Sequence, residues 1–249
     1  MIKGINFIRI EFIRLFRHSN VLFLFLAFHL LLSPLSLIHQ IGNETLEINL
    51  YYEYFSKHFS IFTLMIVALF FVNSAGNDFT EGSYRKLIAM GMKRVEYIIG
   101  KFVLLLIMSI VVILLMIVLT FLFGVFSFDY SFSDLLEAFL PVSVLNQLMA
   151  LTCAGLFGLF IIVLFRNRVI GLVFIPFWLS AEFSLRILSE RDGTLQIVNY
   201  LPGNACYNLY SEISFHQALF LKVFFLCTFF LVGIILIMNN REERGKQLQ

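Results

Sequence analysis

Six stretches of this chain stay apolar over the length a bilayer demands. They run approximately over 20–41, 59–76, 99–124, 141–165, 168–185 and 217–238. Each meets the roughly 17–25 residues that a helix needs to cross a hydrocarbon core of about 30 Å. Polar residues separate them, and the fourth and fifth are divided by Arg166-Asn167-Arg168 alone. Joining those two runs would place two arginines in lipid at about 2.5–3.5 kcal/mol each. The pattern therefore predicts six transmembrane helices with one very tight turn.

Three other segments have patterns of their own. Before the first run, Ile5, Ile8, Phe12, Leu15 and Phe16 recur at helical spacing, with Lys3, Asn6, Arg14 and Arg17 largely opposite. This predicts an amphipathic interfacial helix over 1–18, its basic groups near anionic head groups. Between the second and third runs, residues 78–97 are charged. Asp78 and Glu81 have the spacing of a helix N-terminal cap, a short helix is expected from about Ser83 to Met90, and Gly91 is placed to stop it. The segment 186–216 carries turn signals at Asp192-Gly193 and Leu201-Pro202-Gly203 but is too apolar for a free loop. It is expected to fold back on the spans as a re-entrant or interfacial segment. The connections 42–58 and 125–140 read as short acidic loops.

Composition agrees with the pattern: 60% of the 249 residues are hydrophobic and 14% charged, against about a quarter charged in a soluble domain. The fold class expected is an all-α integral membrane protein, a single transmembrane domain over 1–249. Charge sets its orientation. Lys3, Arg9, Arg14, Arg17, Arg85, Lys86, Lys93, Arg94, Lys101, Arg166, Arg168, Arg241, Arg244 and Lys246 fall on one side of a six-span chain. Of the 18 basic residues, only Lys57, Arg186, Arg191 and Lys222 fall on the other. Both termini are expected in the cytoplasm and the protein in the cell (plasma or inner) membrane. The first span is too long for a signal peptide and is followed by no small-residue cleavage site, so it is expected to stay uncleaved.

Catalysis finds no support. There is no HExxH helix, no GxSxG elbow and no Walker A pattern. His18, His29, His39, His58 and His216 are scattered. Cys153, Cys206 and Cys227 lack a CxxC spacing, which speaks against a disulfide framework or a metal site. Nucleic-acid binding has nothing beyond basic membrane flanks.

Glu81-Gly82-Ser83, a short helix, a break, Arg94 and then Gly100-Lys101 opening the next span together resemble the ABC-2 type transporter permease family. Asn199-Tyr200-Leu201-Pro202 is a weaker likeness. Many members have Pro where this chain has Met90-Gly91, and a Gly there is familiar in bacterial peptide and bacteriocin-immunity exporters. The resemblance implies a type V exporter-like architecture in which 78–97 is a cytoplasmic coupling segment. It implies two copies of a separate ABC ATPase subunit that bind ATP and Mg, so this chain needs no cofactor. It also implies a second permease subunit, identical or paralogous. The function implied is export of a hydrophobic or amphipathic cargo, peptide or lipid-like, from the cytoplasm or inner leaflet. On that reading Tyr84, Leu87 and Ile88 seat in an ATPase groove, Arg85 and Lys86 lie at its rim, and Glu81, Gly82, Ser83 and Arg94 belong to the same coupling site. The alternatives are a non-transporting membrane scaffold or sensor and a secondary transporter. The latter would want paired ionised groups at mid-depth.

Within the spans, Ala150, Ala154 and Gly158 form a small-xxx-small face, read as intrachain packing ahead of a dimer seam. Asn146 and Gln147 either line a cargo path or hydrogen-bond to a neighbouring helix. Pro34 and Pro176 are candidate kinks. Glu182 and Arg186 have the i,i+4 spacing of an ion pair.

Overall fold

A computed structural model of the chain describes residues 9–14, 47–131, 133–135, 141–192, 196–212, 214 and 216–247. Every regular element among them is helical: α1 (Ile48–Thr80), α2 (Ser83–Ala89), α3 (Arg94–Phe128), α4 (Pro141–Phe165), α5 (Arg168–Asp192), a 3-10 turn (Gln196–Tyr200), α6 (Pro202–Ser211) and α7 (Gln217–Gln247). Residues 9–14 are helical as well. Five of these helices, α1, α3, α4, α5 and α7, are long and apolar enough to cross a membrane. The expected first span, 20–41, and Pro34 within it lie outside the described residues.

α1 and α3 have 33 and 35 residues. At about 1.5 Å per residue each approaches 50 Å, well beyond a core of about 30 Å. The excess corrects the expected loops 42–58 and 125–140, since residues 48–58 and 125–128 are helical. Aromatic packing holds these extensions. Tyr51 is fully buried, touches Phe55, Phe128 and Tyr130, and donates its hydroxyl to the Thr120 carbonyl at 2.8 Å.

α4 is the axis of the bundle and packs against α1, α3, α5, α6 and α7. Its small residues make this approach feasible. A methyl group at Gly158 would sit 2.5 Å from the carbonyl oxygen of Ala68 in α1, and one at Gly155 would collide with Leu105 of α3. This small-residue face therefore meets helices of its own chain. The apolar windows of α1 and α4 are each 72% buried, those of α5 and α7 only 22% and 17%. The latter two leave most of their apolar windows uncovered by this chain.

The Arg166-Asn167 turn is as tight as its sequence suggests. Arg166 takes a left-handed conformation (φ 51). The Asn167 Oδ1 accepts the backbone N–H groups of Val169 and Ile170, at 2.9 and 3.3 Å, and so caps α5. The segment after α5 is ordered by burial: α6 packs on α4, α1, α7 and α5.

Candidate functional site

The charged segment after α1 forms a knuckle. Gly82 (φ 72) and Gly91 (φ 88) both occupy left-handed backbone, where a side chain is strained, and they bracket α2. Gly91 thus ends the short helix, which stops at Ala89. The next helix starts with half of a capping box, the Lys93 N–H donating to Glu96 Oε2 at 2.9 Å. The cap expected from Asp78 and Glu81 does not form, because α1 continues to Thr80 and Gly82 occupies the N-cap position of α2.

Asp78 has a different role. It is fully buried and faces Lys101, which is 1% exposed. Their carboxylate and ammonium lie 2.7 Å apart. Lys101 also pairs with buried Glu11 and donates to Ser74 Oγ at 2.9 Å. Arg14 pairs with Asp78, with Glu81 at 2.7 Å and with Glu11 at 3.5 Å. The Tyr97 hydroxyl donates to Asp78 Oδ2 at 2.8 Å. Burial works against the charge on Arg14. The fields of Asp78, Glu11 and Glu81 outweigh it, and its pKa stands above the ordinary arginine value.

This hub corrects the reading of the N-terminal helix. Arg14 is bound to the protein rather than turned to head groups, Glu11 is buried, and Ile10 and Ile13 are exposed. Phe12 packs on the core, as its place in the apolar stripe suggests. A ring stack ties α2 to the same hub. Tyr84 is buried between Phe79 (ring centroids 5.2 Å apart) and Tyr97 (5.0 Å, edge-on). Tyr84 therefore cannot seat in a partner's groove, and Leu87 and Ile88 are half-buried against the core. The exposed apolar residues of the knuckle are Met90, 69% exposed, and Val95. Arg85 and Lys86 are exposed beside them, Ser83 is half-buried at the helix start and Glu81 faces Arg14. Arg94, expected in the same coupling site, donates its guanidinium to the Met238 carbonyl at 2.6 Å and fastens α3 to α7.

The other expected sites resolve into internal contacts. Asn146 is fully buried and donates its amide to the carbonyls of Glu212 and Ser214, at 3.1 and 3.0 Å. Gln147 is buried and donates to the Tyr52 hydroxyl at 3.4 Å. Hydrogen bonding, the second alternative for this pair, accounts for the two amide nitrogens, while the buried Asn146 Oδ1 and Gln147 Oε1 have no hydrogen-bond partner among the described residues. Glu182 and Arg186 do not pair. Glu182 accepts from the Trp178 indole and from the Asn204 backbone N–H at 2.9 Å, at the N-terminus of α6, where helix dipole and free amides favour a carboxylate. Arg186 lies 3.9 Å from the Tyr207 ring centre and donates to Asn208 at 3.0 Å.

The hub residues Glu11, Asp78 and Tyr97 are missing from the sequence-based site. Their one signal is an acid on an apolar helical stripe (Glu11), an acid at the end of one apolar run (Asp78) and a lysine just inside the next (Lys101). Each charge demands a partner when buried.

A family model described as an ABC-2 family transporter protein matches residues 7–180, a stretch that contains the whole hub and knuckle. No curated protein and no solved structure matches the chain.

Proposed function

The chain belongs to the ABC-2 transporter family, and on that premise we propose that it is the membrane-spanning permease subunit of an ATP-driven exporter. Membership makes it a non-catalytic membrane component of an ABC transporter. The motor is then a separate ATPase, two copies of it serving two permease subunits, identical or paralogous, in the cell membrane. The knuckle at 82–95 is its docking point, and both termini are cytoplasmic. The cargo is hydrophobic or amphipathic, in keeping with the outward apolar faces of α5 and α7.

One observation carries this reading: the knuckle is wired to the bundle. Pressure on α2 passes through Tyr84 to Tyr97, then to Asp78 and Lys101, and so reaches α1, α3 and the N-terminal helical segment together. A solvated loop needs no buried ion pair behind it. A lever needs one, because a fixed register transmits displacement instead of absorbing it. Met90 and Val95 offer the motor an apolar contact, ringed by Arg85, Lys86 and Lys93.

The test is co-purification of an ABC ATPase with the full-length chain. Met90→Asp and Val95→Asp are expected to abolish it, and Tyr84→Phe, which keeps the inward ring, to preserve it. Association that survives both aspartates removes the knuckle as the docking point.

A further inference from the structure

At the end of the bundle away from the knuckle, α1, α5, α6 and the α6–α7 connection enclose an open cavity of about 350 Å³. Among the described residues its wall is polar and balanced in charge, with Lys57 and Arg186 against Glu53 and Glu212, together with Asn208, Ser211 and Ser214. Each cation has an internal partner. Lys57 pairs with Glu53, and Arg186 is held by Asn208 and the Tyr207 ring. Ser214 donates to Glu212 at 2.8 Å. Buried Asn146 fixes the floor by binding the carbonyls of Glu212 and Ser214 from below. Four separate chain segments are thus held around one space, and Arg186, Asn208, Glu212 and Ser214 lie beyond the stretch matched by the family model.

The geometry points to a binding site for a small zwitterion with a primary ammonium and an oxyanion, namely the phosphoethanolamine head group of a membrane lipid. The two acids disfavour a ligand of net negative charge, and the two cations one of net positive charge. A zwitterion trades places with the internal pairs without leaving either sign unmatched. The carboxylates of Glu53 and Glu212 accept N–H donors, which a primary ammonium has and a quaternary one lacks. A quaternary head group calls instead for an aromatic face, and the nearby face of Tyr207 is occupied by Arg186. The volume is that of about ten waters, enough for a head group. The site requires the helices to cross a bilayer but does not require the ATPase-driven cycle, so either idea can fail alone.

Native mass spectrometry of the full-length protein in detergent, with equal amounts of phosphatidylethanolamine, phosphatidylcholine and phosphatidylglycerol, tests the assignment. Phosphatidylethanolamine is expected to be retained about tenfold better than the others, the effect of one charge-assisted hydrogen bond. Lys57→Gln and Glu212→Gln should each remove most of that preference, and soluble glycerophosphoethanolamine, a phosphodiester with no net charge, should displace the lipid while glycylglycine should not. Lys57 is exposed and paired within its own helix, so its variant decides the matter if Glu212→Gln does not fold. Equal retention of the three lipids, a preference untouched by Lys57→Gln, or displacement by glycylglycine instead of glycerophosphoethanolamine overturns the assignment.

Discussion

The two ends of the bundle treat charge in opposite ways. At the knuckle, Glu11, Asp78 and Lys101 are sealed from solvent and Arg14 is half-buried. At the far end, Glu53 and Lys57 stay at the mouth of an open cavity, 40% and 45% exposed. Burying ionised groups costs several kcal/mol each before their attraction offsets it. A sealed hub is therefore a poor way to gain stability and a good way to fix one arrangement of three segments. An open cavity lined with the same kinds of side chain leaves its charges available to a ligand. Placement, more than residue type, separates the lever from the candidate binding site.

That contrast sets the order of the expected effects. Lys101→Met removes the buried cation shared by Asp78 and Glu11, leaving Arg14 alone to face both, and should destabilise the folded protein by about 3–5 kcal/mol. Thermal unfolding in detergent should show the loss, and adding Asp78→Asn should restore part of it. Lys57→Gln at the open end should change unfolding by less than about 1 kcal/mol. Equal effects at the two ends would erase the distinction. Gly158→Val drives a branched side chain into Ala68 and should cost about 1–3 kcal/mol or more, as overpacking does. A neutral result would show that α1 and α4 are not in contact there. Gly82→Ala forces a side chain into left-handed backbone and should cost about 1 kcal/mol, while leaving the rest of the hub intact. The smallest effect concerns pH. The folded pKa of Arg14 lies above its already strongly basic unfolded value. Its contribution is complete below that value and lost only as pH rises through the higher folded one. An unfolding scan across the neutral range should therefore show no step that disappears in Arg14→Gln.

The two regions also differ in how far they can be read from sequence. Long apolar runs bounded by basic residues, such as 141–165 and 168–185, point to their helices because lipid imposes one length and one hydrogen-bonding solution. Gly91 is legible as a helix stop for a similar local reason. The hub is not local. Asp78 and Glu81 have the spacing of a cap, and only the approach of Lys101 and Arg14 from two other segments turns Asp78 inward. Tyr84 reads as a contact for a partner because nothing nearby in sequence reveals Phe79 and Tyr97 closing around it. Glu182 and Arg186 fit the i,i+4 rule but are claimed by α6, whose position depends on the whole bundle. Asn146 and Gln147 admit two readings from sequence, and the α6–α7 connection above Asn146 favours hydrogen bonding.

The central claim is that the knuckle and the N-terminal helical segment move as one body when the motor binds nucleotide. Pulsed spin-label distances in the permease–ATPase assembly test it most directly, with labels at Lys86→Cys and Ile13→Cys, and a second pair at Lys86→Cys and Leu221→Cys across the bundle. All three positions are exposed, and the native cysteines are buried. The account predicts that ATP changes the 86–221 distance and leaves the 13–86 distance unchanged. A 13–86 distance that shifts with nucleotide, or an 86–221 distance that does not, contradicts it.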